Sequence, residues 1–387
     1  MSAQYLAWEM KRHNVIEYPI AISDVILATV QGVEAVKDLQ TLKRRYPNKL
    51  LICGGAASTS PYSLGRVANA VCVGDGQSFI KSLFLEGTNV AFQLPNVWID
   101  GESRRVEIDN GFPWDMPPIQ AEDDAYRLWC GRGCKNKCKF CQTGWAYKYT
   151  ENPEPETITA NARRLLAQGK KIAYLSNDLA QHSFYTSLPK TEHGSYSVGY
   201  MRKYGLPPAR QIRIGVEGVS ERLRRAVSKP ISSNDLVSCT EWLNANGKSV
   251  RWFMISGLPG ETADDWLELR ECIQRWKIET PKGVLALSFT AFCPDPATPY
   301  ATVAINDDYW EHYVLFKEWF FGGKGWSNRV KLMNPQQPAA RMNKAILSMG
   351  LTETQLRKGG HVSPNARLLY PYAGKLESAK QRITDNG

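Results

Sequence analysis

Apolar positions along the first 110 residues come in short runs, separated by stretches with helical spacing. The runs predict strands over residues 24–30, 49–55 and 70–76, the last two running into glycine turns. The intervening stretches predict helices over residues 34–46 and 77–85. Strands that alternate with helices form parallel sheets, so we expect a small α/β unit that is open at the carboxyl edge of its strands.

A second alternating region extends from residue 129 to about residue 299. Its pattern predicts a partial (β/α) barrel, in which helices cover a curved parallel sheet. Ser233 is expected to cap the third of these helices, and Gly247 to end it. The predicted strands cover residues 171–175, 211–216, 249–255 and 284–289, and the predicted helices cover residues 156–168, 221–228, 234–246 and 263–277.

A connector with weak periodicity joins the two regions. A hairpin is predicted around residue 100, and prolines with an acidic patch at residues 122–124 indicate a linker. We therefore expect an α/β domain with its linker over residues 1–120, a barrel over residues 121–300, and a basic, aromatic extension with two helices over residues 301–387.

Length and composition are typical of a folded chain of more than one domain. The chain has 387 residues, of which 43% are hydrophobic and 22% charged. No apolar run approaches the roughly 18 residues of a membrane span, and the N-terminus lacks the apolar core of a secretory signal. We therefore expect a cytoplasmic protein without a membrane partner. The net charge of +10 indicates either a polyanionic partner or an ordinary basic pI.

Four of the nine cysteines lie within residues 130–141, a distribution that disulfide formation does not explain. Cys134, Cys138 and Cys141 have C-x3-C-x2-C spacing in a loop before the first barrel helix. Three thiolates this close can bind three irons of a 4Fe–4S cluster and leave the fourth iron open for a small molecule. Neighbouring lysines, with no acidic residue between positions 130 and 150, favour the thiolate form. The alternative is a zinc site that also uses Cys130.

This spacing, with Phe140 before the last cysteine, closely resembles the cluster motif of the radical S-adenosylmethionine (radical SAM) superfamily. Residues 215–229 resemble the superfamily's fourth-strand motif and the helix that follows, and residues 254–261 resemble its fifth-strand motif. Residues 288–299 are similar to the end of the sixth strand in one subset of the superfamily. The resemblance implies a partial (β/α)6 radical SAM barrel.

The N-terminal part resembles the Rossmann-like, cobalamin-binding domain of that subset. Cys53-Gly-Gly55 and Val73-Gly-Asp-Gly76 resemble landmarks of the domain, which begins late in this chain and is therefore truncated. Base-off, histidine-ligated cobalamin uses an Asp-x-His-x-x-Gly motif, and His13 does not lie in one. We therefore expect a vestigial or repurposed domain, with cobalamin bound in another form as the alternative.

The resemblance implies a 4Fe–4S cluster bound by Cys134, Cys138 and Cys141, with S-adenosylmethionine chelating the open iron. An electron from a flavodoxin- or ferredoxin-type donor would cleave the C5′–S bond and leave methionine and a 5′-deoxyadenosyl radical. That radical would abstract hydrogen from a substrate. The protein would position the sulfonium and exclude water and competing hydrogen donors.

The resemblance also implies polar contacts to S-adenosylmethionine at the ends of the barrel strands. Asp178 closes the second strand, where the superfamily often has a glutamate that meets the methionine amine. Glu217 is expected at the ribose hydroxyls, with Ser220 nearby. Arg222 either binds the carboxylate or lies on the helix surface. The remaining expected contacts are Gly257, Gly260 and Glu261 on the adenine side, and Phe140, which packs either on adenine or in the core.

Three further residues are candidates for a catalytic role. Cys130 and Cys293 are each a second-cluster ligand, a radical relay, a methyl carrier or a buried inert thiol. His182 is either an acid–base group or a structural histidine.

Basic and aromatic residues are interleaved in the C-terminal extension. They suit stacking on exposed bases and phosphate binding, or they form a solvated basic face over an aromatic core. The aromatic residues concerned are Trp310, Trp319, Phe320, Phe321, Trp326 and Tyr370.

We expect an enzyme that functionalises a C–H bond in a nucleotide or nucleic-acid base, by methylation, isomerisation or a related modification. The alternatives are the same chemistry on a small metabolite or peptide, and a non-catalytic nucleic-acid-binding protein that a metal ion stabilises.

Overall fold

A computed structural model describes most of the chain. The described residues are 23–99, 106–121, 123–191, 196–322 and 329–365, together with Met10, Arg12 and Ile20. Several sequence-based expectations lie outside them and remain predictions. They are those on His13, the hairpin turn near residue 100, Glu122, Trp326 and Tyr370.

Residues 23–99 form a four-stranded sheet with helices between its strands. The strands are β1 (Val25–Thr29), β2 (Leu50–Gly54), β3 (Ala70–Cys72) and β4 (Val97–Trp98), and the helices are α1 (Val36–Arg45), α2 (Pro61–Gly65), α3 (Gln77–Leu85) and α4 (Thr88–Ala91). The first three strands are parallel, as predicted. β4 pairs antiparallel with β3, so it extends this sheet.

The middle of the chain contains the predicted parallel strands and the helices that cover them. The strands are β5 (Ile119–Gln120), β6 (Ala125–Trp129), β7 (Gly131–Arg132), β8 (Thr150–Glu151), β9 (Lys171–Leu175), β10 (Gln211–Glu217), β11 (Ser249–Ser256) and β12 (Leu285–Ala291). The helices are α5 (Thr143–Ala146), α6 (Pro155–Ala167), α7 (Val198–Tyr204), α8 (Glu221–Ala226), α9 (Ser233–Ala245) and α10 (Ala263–Glu279). β6 and β9 are parallel, as are β10, β11 and β12.

Six short elements of this region were not predicted, and one predicted helix cap is wrong; the unpredicted elements are β5, β6, β7, β8, α5 and α7. β6 was not predicted, because its sequence Ala-Tyr-Arg-Leu-Trp shows no regular alternation of apolar and polar residues and follows a proline-rich connector. The cap of α9 is Ser232 rather than Ser233, since the Ser232 hydroxyl accepts a hydrogen bond from the backbone N–H of Asp235.

The C-terminal extension completes the larger parallel sheet, which the sequence did not predict. Its described elements are α11 (Asp308–Gly322), β13 (Val330–Met333), α12 (Pro338–Met349) and α13 (Glu353–Lys358), so it has one helix more than the two expected. β13 pairs in parallel with β12, giving the strand order β10-β11-β12-β13. Phe316 and Phe320 of α11 are buried in the main core together with Trp252 and Trp276. Extension and barrel therefore share one hydrophobic core.

The extension also contacts the N-terminal sheet domain through the end of α12. The last carbonyl groups of a helix have no partner within it. Ser63 and Ser60 satisfy two of them, because their hydroxyls donate to the carbonyls of Leu347 and Ser348. An ion pair between Lys344 and Glu34, 2.9 Å long, joins the same two parts. Among the described helices, none has the length and apolarity that crossing a bilayer requires.

Candidate cluster site

The cysteines of the C-x3-C-x2-C motif lie on one loop whose ends are joined by β7 and β8. These strands are antiparallel, with Gly131 opposite Glu151 and Arg132 opposite Thr150. The loop turns at Gly133, which has φ 71°, and a Cβ there would lie 2.6 Å from the Lys148 carbonyl oxygen. The turn therefore requires glycine, both for its left-handed backbone and for its close packing.

Hydrogen bonds fix the tip of this loop, which we call the cluster loop (residues 133–149). The backbone N–H of Lys139 donates to the Val227 carbonyl at 3.1 Å. The Trp145 indole N–H donates to the Cys138 carbonyl at 2.9 Å. The cysteine-bearing backbone is thus held against the end of α8 before any group binds.

The three thiols lie close enough to influence one another. Burial raises the pKa of the Cys138 thiol to about 11; nearby Lys229 opposes this rise, and Cys134 and Cys141 add to it. Within the described residues, no three His, Cys, Asp or Glu side chains converge on a single ion. A 4Fe–4S cluster binds each cysteine at a different iron, so its ligands surround a volume rather than one point. Three thiols on a prefolded loop fit such a cluster.

Two polar residues that sequence reasoning missed contact this site. The Gln181 amide nitrogen lies 3.4 Å from Cys134 Sγ, and Gln181 Oε1 accepts from the backbone N–H of Lys135 at 2.9 Å. Lys229 forms a 2.6 Å ion pair with Glu217, which ends β10 with φ 72°. Lys229 closes the fourth-strand motif of the sequence, but nothing in its spacing indicates its partner. Gln181 is 47 positions from Cys134, and no local pattern joins them.

Three of the expected S-adenosylmethionine contacts hold local structure together. Asp178 is half-buried and accepts from the backbone N–H of Ala180. The Ser220 hydroxyl is buried, caps α8 and also donates to Asp265. Arg222 pairs with the same Asp265 at 2.5 Å, although its side chain is half exposed. Their roles toward the cofactor stay predictions.

Gly257, Gly260 and Glu261 form one turn after β11. Both glycines have positive φ, 75° and 77°, so the turn itself requires them. Glu261 Oε2 accepts from the Gly257 backbone N–H at 2.8 Å, and its Oε1 accepts from the Trp266 indole at 3.0 Å. Burial raises the pKa of this carboxyl to about 7. Glu261 thus braces the turn, and its place beside adenine stays a prediction.

Cys130 and His182 occupy structural positions. Cys130 is fully buried in the core formed by β6, α6 and β9, and burial raises the pKa of its thiol to about 12. His182 lies beneath β7, where its Nε2 is 2.6 Å from the Ser176 hydroxyl and its Nδ1 is 3.2 Å from the Tyr149 hydroxyl. Burial lowers its pKa, which favours neutral imidazole. These surroundings agree with the inert-thiol and structural-histidine interpretations.

Cys293 has a different environment. It lines a cavity of about 210 Å³ at the carboxyl ends of β11 and β12, together with Phe140 and Ile255. Burial raises the pKa of its thiol to about 12. Phe140 packs against the main core and also faces this cavity, and its packing on adenine stays a prediction.

The described aromatic residues of the extension mostly belong to the core. Phe320 is buried, and Trp310 and Trp319 pack against the main core cluster. The Arg270 guanidinium lies over the Trp319 ring at 4.5 Å. Phe321 is 63% exposed. This packing favours a basic face over an aromatic core rather than a row of stacking platforms.

The chain resembles known proteins in sequence and in structure. No protein-family model matches it. An uncharacterised protein of Methanocaldococcus jannaschii is 22% identical in an alignment 316 residues long, which covers 72% of this chain and 68% of that protein. The chain is similar in structure to the radical SAM methyltransferase TsrM from Kitasatospora setae, solved with tryptophan substrate and a SAM analogue. The TM-score is 0.52 at 13% identity, over 79% of this chain and 69% of TsrM.

A second similar structure is the apo form of the cobalamin-dependent S-adenosylmethionine radical enzyme OxsB. The TM-score is 0.51 at 15% identity, over 99% of this chain and 60% of OxsB, so the chain spans less than two thirds of that enzyme. These likenesses show that the chain has the α/β fold of these two enzymes. The predicted α/β fold class is thereby confirmed, whereas the superfamily's chemistry and the number of barrel strands stay predictions.

Proposed function

We propose that this protein is a radical SAM enzyme that cleaves S-adenosylmethionine reductively and functionalises a C–H bond in a nucleotide or nucleic-acid base. The observation that carries the radical chemistry is the cluster loop, on which Cys134 and Cys141 both lie near the Cys138 thiol, within a fold shared with radical SAM enzymes. With S-adenosylmethionine bound and one electron from an external donor, a 4Fe–4S cluster held by these thiols would supply the reductive cleavage of the C5′–S bond.

The chain's own groups would bind, orient and shield the reactants. Cys134, Cys138 and Cys141 would ligate the cluster, and the Gln181 amide N–H would donate to the Cys134 sulfur. The Glu217–Lys229 ion pair, 2.6 Å long, would place opposite charges at the edge of the site. The 210 Å³ cavity beside Phe140 would receive the adenine end of the cofactor, where apolar walls exclude water.

The test is formation of 5′-deoxyadenosine by anaerobically reconstituted, reduced protein supplied with S-adenosylmethionine. We expect the product from the wild type and none from Cys134→Ala, Cys138→Ala or Cys141→Ala, because each change removes a ligand. Cys239→Ala is the matched control, since this half-buried cysteine of α9 contacts Met201 away from the loop. A fully loaded four-iron protein that forms no 5′-deoxyadenosine, or a protein that holds one zinc, would overturn the proposal.

A second candidate keeps the radical chemistry and takes a small metabolite or peptide. The packing of Trp310, Trp319 and Phe320 against the core favours it, because these rings do not form an exposed surface for a nucleic-acid strand. Binding of short RNA and DNA strands at moderate salt separates the candidates: strand binding favours the first and its absence the second.

A further inference from the structure

A cavity of about 320 Å³ lies where the carboxyl edge of the N-terminal sheet meets the cluster loop. Gly55 and Gly74, in the turns after β2 and β3, form one side of it, and Arg132, Gln142 and Tyr147 form the other. Open parallel sheets bind ligands at this edge. Gln142 directly follows Cys141, so the cavity adjoins the cluster site.

Flat faces line much of the cavity. Phe112 and Trp129 lie with their ring centroids 4.8 Å apart, and both border the space. Tyr147 borders it as well, with the Arg132 guanidinium 3.9 Å from the centre of its ring. Aromatic faces favour a planar ligand that stacks or packs edge-on against them.

One polar anchor in this wall is incompletely paired. Asp75 is 6% exposed and lines the cavity. Its Oδ1 accepts from Arg132 Nε at 2.8 Å, whereas its buried Oδ2 has no hydrogen-bond partner among the residues described. A buried carboxylate oxygen without a donor is unfavourable. A ligand that presents an N–H group would satisfy it.

Asp75 is held in place by its backbone. Gly74 has φ 98°, and a Cβ there would lie 2.3 Å from the Asp109 carbonyl oxygen. That same carbonyl accepts from the Asp75 backbone N–H at 2.9 Å. The backbone turn that carries Asp75 is therefore rigid. Its carboxylate is already positioned at the cavity wall, as in a preformed site.

We propose that this cavity binds a single nucleobase, which donates an N–H to Asp75 and packs against the aromatic wall that Trp129, Phe112 and Tyr147 form. Its volume is at the lower end of the roughly 300–1,000 Å³ of ligand pockets, enough for one base but not for a corrin macrocycle. The proposal deepens the proposed function, on which it rests for the statement that the bound base is the substrate. Binding itself is measured separately.

The experiment is equilibrium dialysis of the anaerobically reconstituted protein against guanosine, adenosine, cytidine and uridine, and against short single-stranded RNA and DNA. We expect one base to bind per chain, and Asp75→Asn to weaken its binding at least about tenfold, because a buried acceptor oxygen becomes an amide. Asp123→Asn is the matched control: it alters a carboxylate–arginine pair with Arg127 that lies on the surface, where Asp123 is 51% exposed. The Asp123→Asn variant should bind the base as tightly as the wild type does.

Ala56→Phe provides a second variant that leaves Asp75 and Arg132 intact. Ala56 is exposed and lines the cavity, so the larger ring should fill the space and abolish binding while iron content stays unchanged. Wild-type protein that binds none of the probes, or variants that bind as tightly as the wild type, would overturn the proposal. Stoichiometric binding of hydroxocobalamin that Ala56→Phe blocks would also overturn it. Formation of 5′-deoxyadenosine by the same wild-type sample would show that the proposed function survives such a failure.

Discussion

Glu261 braces the turn after β11, and the protonation of its carboxyl affects the stability of the protein. Its carboxylate accepts hydrogen bonds from the Gly257 backbone and from the Trp266 indole, and it is largely shielded from solvent. Burial raises its pKa to about 7, against an ordinary value of 4.5. The folded state therefore takes up a proton at pH values where the unfolded chain has released it.

This shift predicts a stability that falls with rising pH. The contribution of Glu261 is fully present below its unfolded pKa of 4.5 and is lost as the pH rises through its folded pKa of about 7. We expect Glu261→Gln to reduce the decline in unfolding free energy between pH 5 and pH 8 by about 2 kcal/mol. Urea unfolding of both proteins across this range measures it. Parallel pH profiles for the two proteins would contradict the assignment.

The same residue type has different uses at different positions. Cys130 and Cys138 are both buried cysteines eight positions apart, yet Cys130 packs in the core beneath β6 and α6. Cys138 lies beside Lys229 and two other thiols. Sequence spacing placed only Cys138 in the C-x3-C-x2-C motif, and the surroundings that distinguish the two cysteines come from distant segments.

At the scale of elements, the β7–β8 pair is the support of the cluster loop. Gly133 stands where the loop leaves β7, with φ 71° and no room for a Cβ beside the backbone of Lys148. Gly169, after α6, has nearly the same backbone, with φ 69°, but no atom lies within 4 Å of the place that a Cβ would take. The two glycines therefore separate the effect of backbone strain from the effect of crowding.

We expect Gly133→Ala to lower the iron bound after reconstitution by at least half, because the methyl group must displace the loop from Lys148. Gly169→Ala should keep wild-type iron content and lose only about 1–2 kcal/mol of stability from its left-handed backbone. Iron and sulfide analysis, with circular dichroism to verify folding, measures both. Equal iron content in the two variants would show that the loop is not held as described.

At the scale of the whole molecule, hydrogen bonds join the N-terminal domain to the C-terminal extension. Asn365 is fully buried, accepts from the Tyr62 backbone N–H at 2.8 Å, and donates to the Ser348 carbonyl at 2.8 Å. It thus connects α2 of the N-terminal domain with the end of α12. The predicted division of the chain into three parts leaves this connection out.

We expect Asn365→Ala to destabilise the protein by about 1–3 kcal/mol, since it leaves the Tyr62 backbone N–H without its acceptor, while the Ser348 carbonyl keeps the Ser60 hydroxyl as a donor. Hydrogen exchange should quicken in α2 and at the end of α12. Glu34→Ala removes an ion pair between the same parts, but Glu34 is 53% exposed, so the loss should stay below about 1 kcal/mol. Urea unfolding with exchange mass spectrometry compares them. A larger effect from Glu34→Ala would reverse this ranking.

Local patterns account for much of the architecture. The predicted bounds of α3, residues 77–85, coincide with the helix in the structure, and those of the predicted barrel strands differ by at most two residues. Period and turn residues act over a few positions, so one sequence suffices to find them. β6 and β13 were not predicted from the sequence, because short strands with mixed polarity become buried only through the neighbours that they pair with.

The sequence by itself determined the alternation of strands and helices, the spacing of the three cluster cysteines and the resemblance to radical SAM enzymes, because each depends on residues close together in the chain. Only the tertiary structure decided that Gln181 meets Cys134, that Lys229 pairs with Glu217, and that Arg132 crosses 57 positions to Asp75. Such contacts depend on which loops the packed sheets bring together. The two partners of each contact lie too far apart in the chain for any local period to relate them.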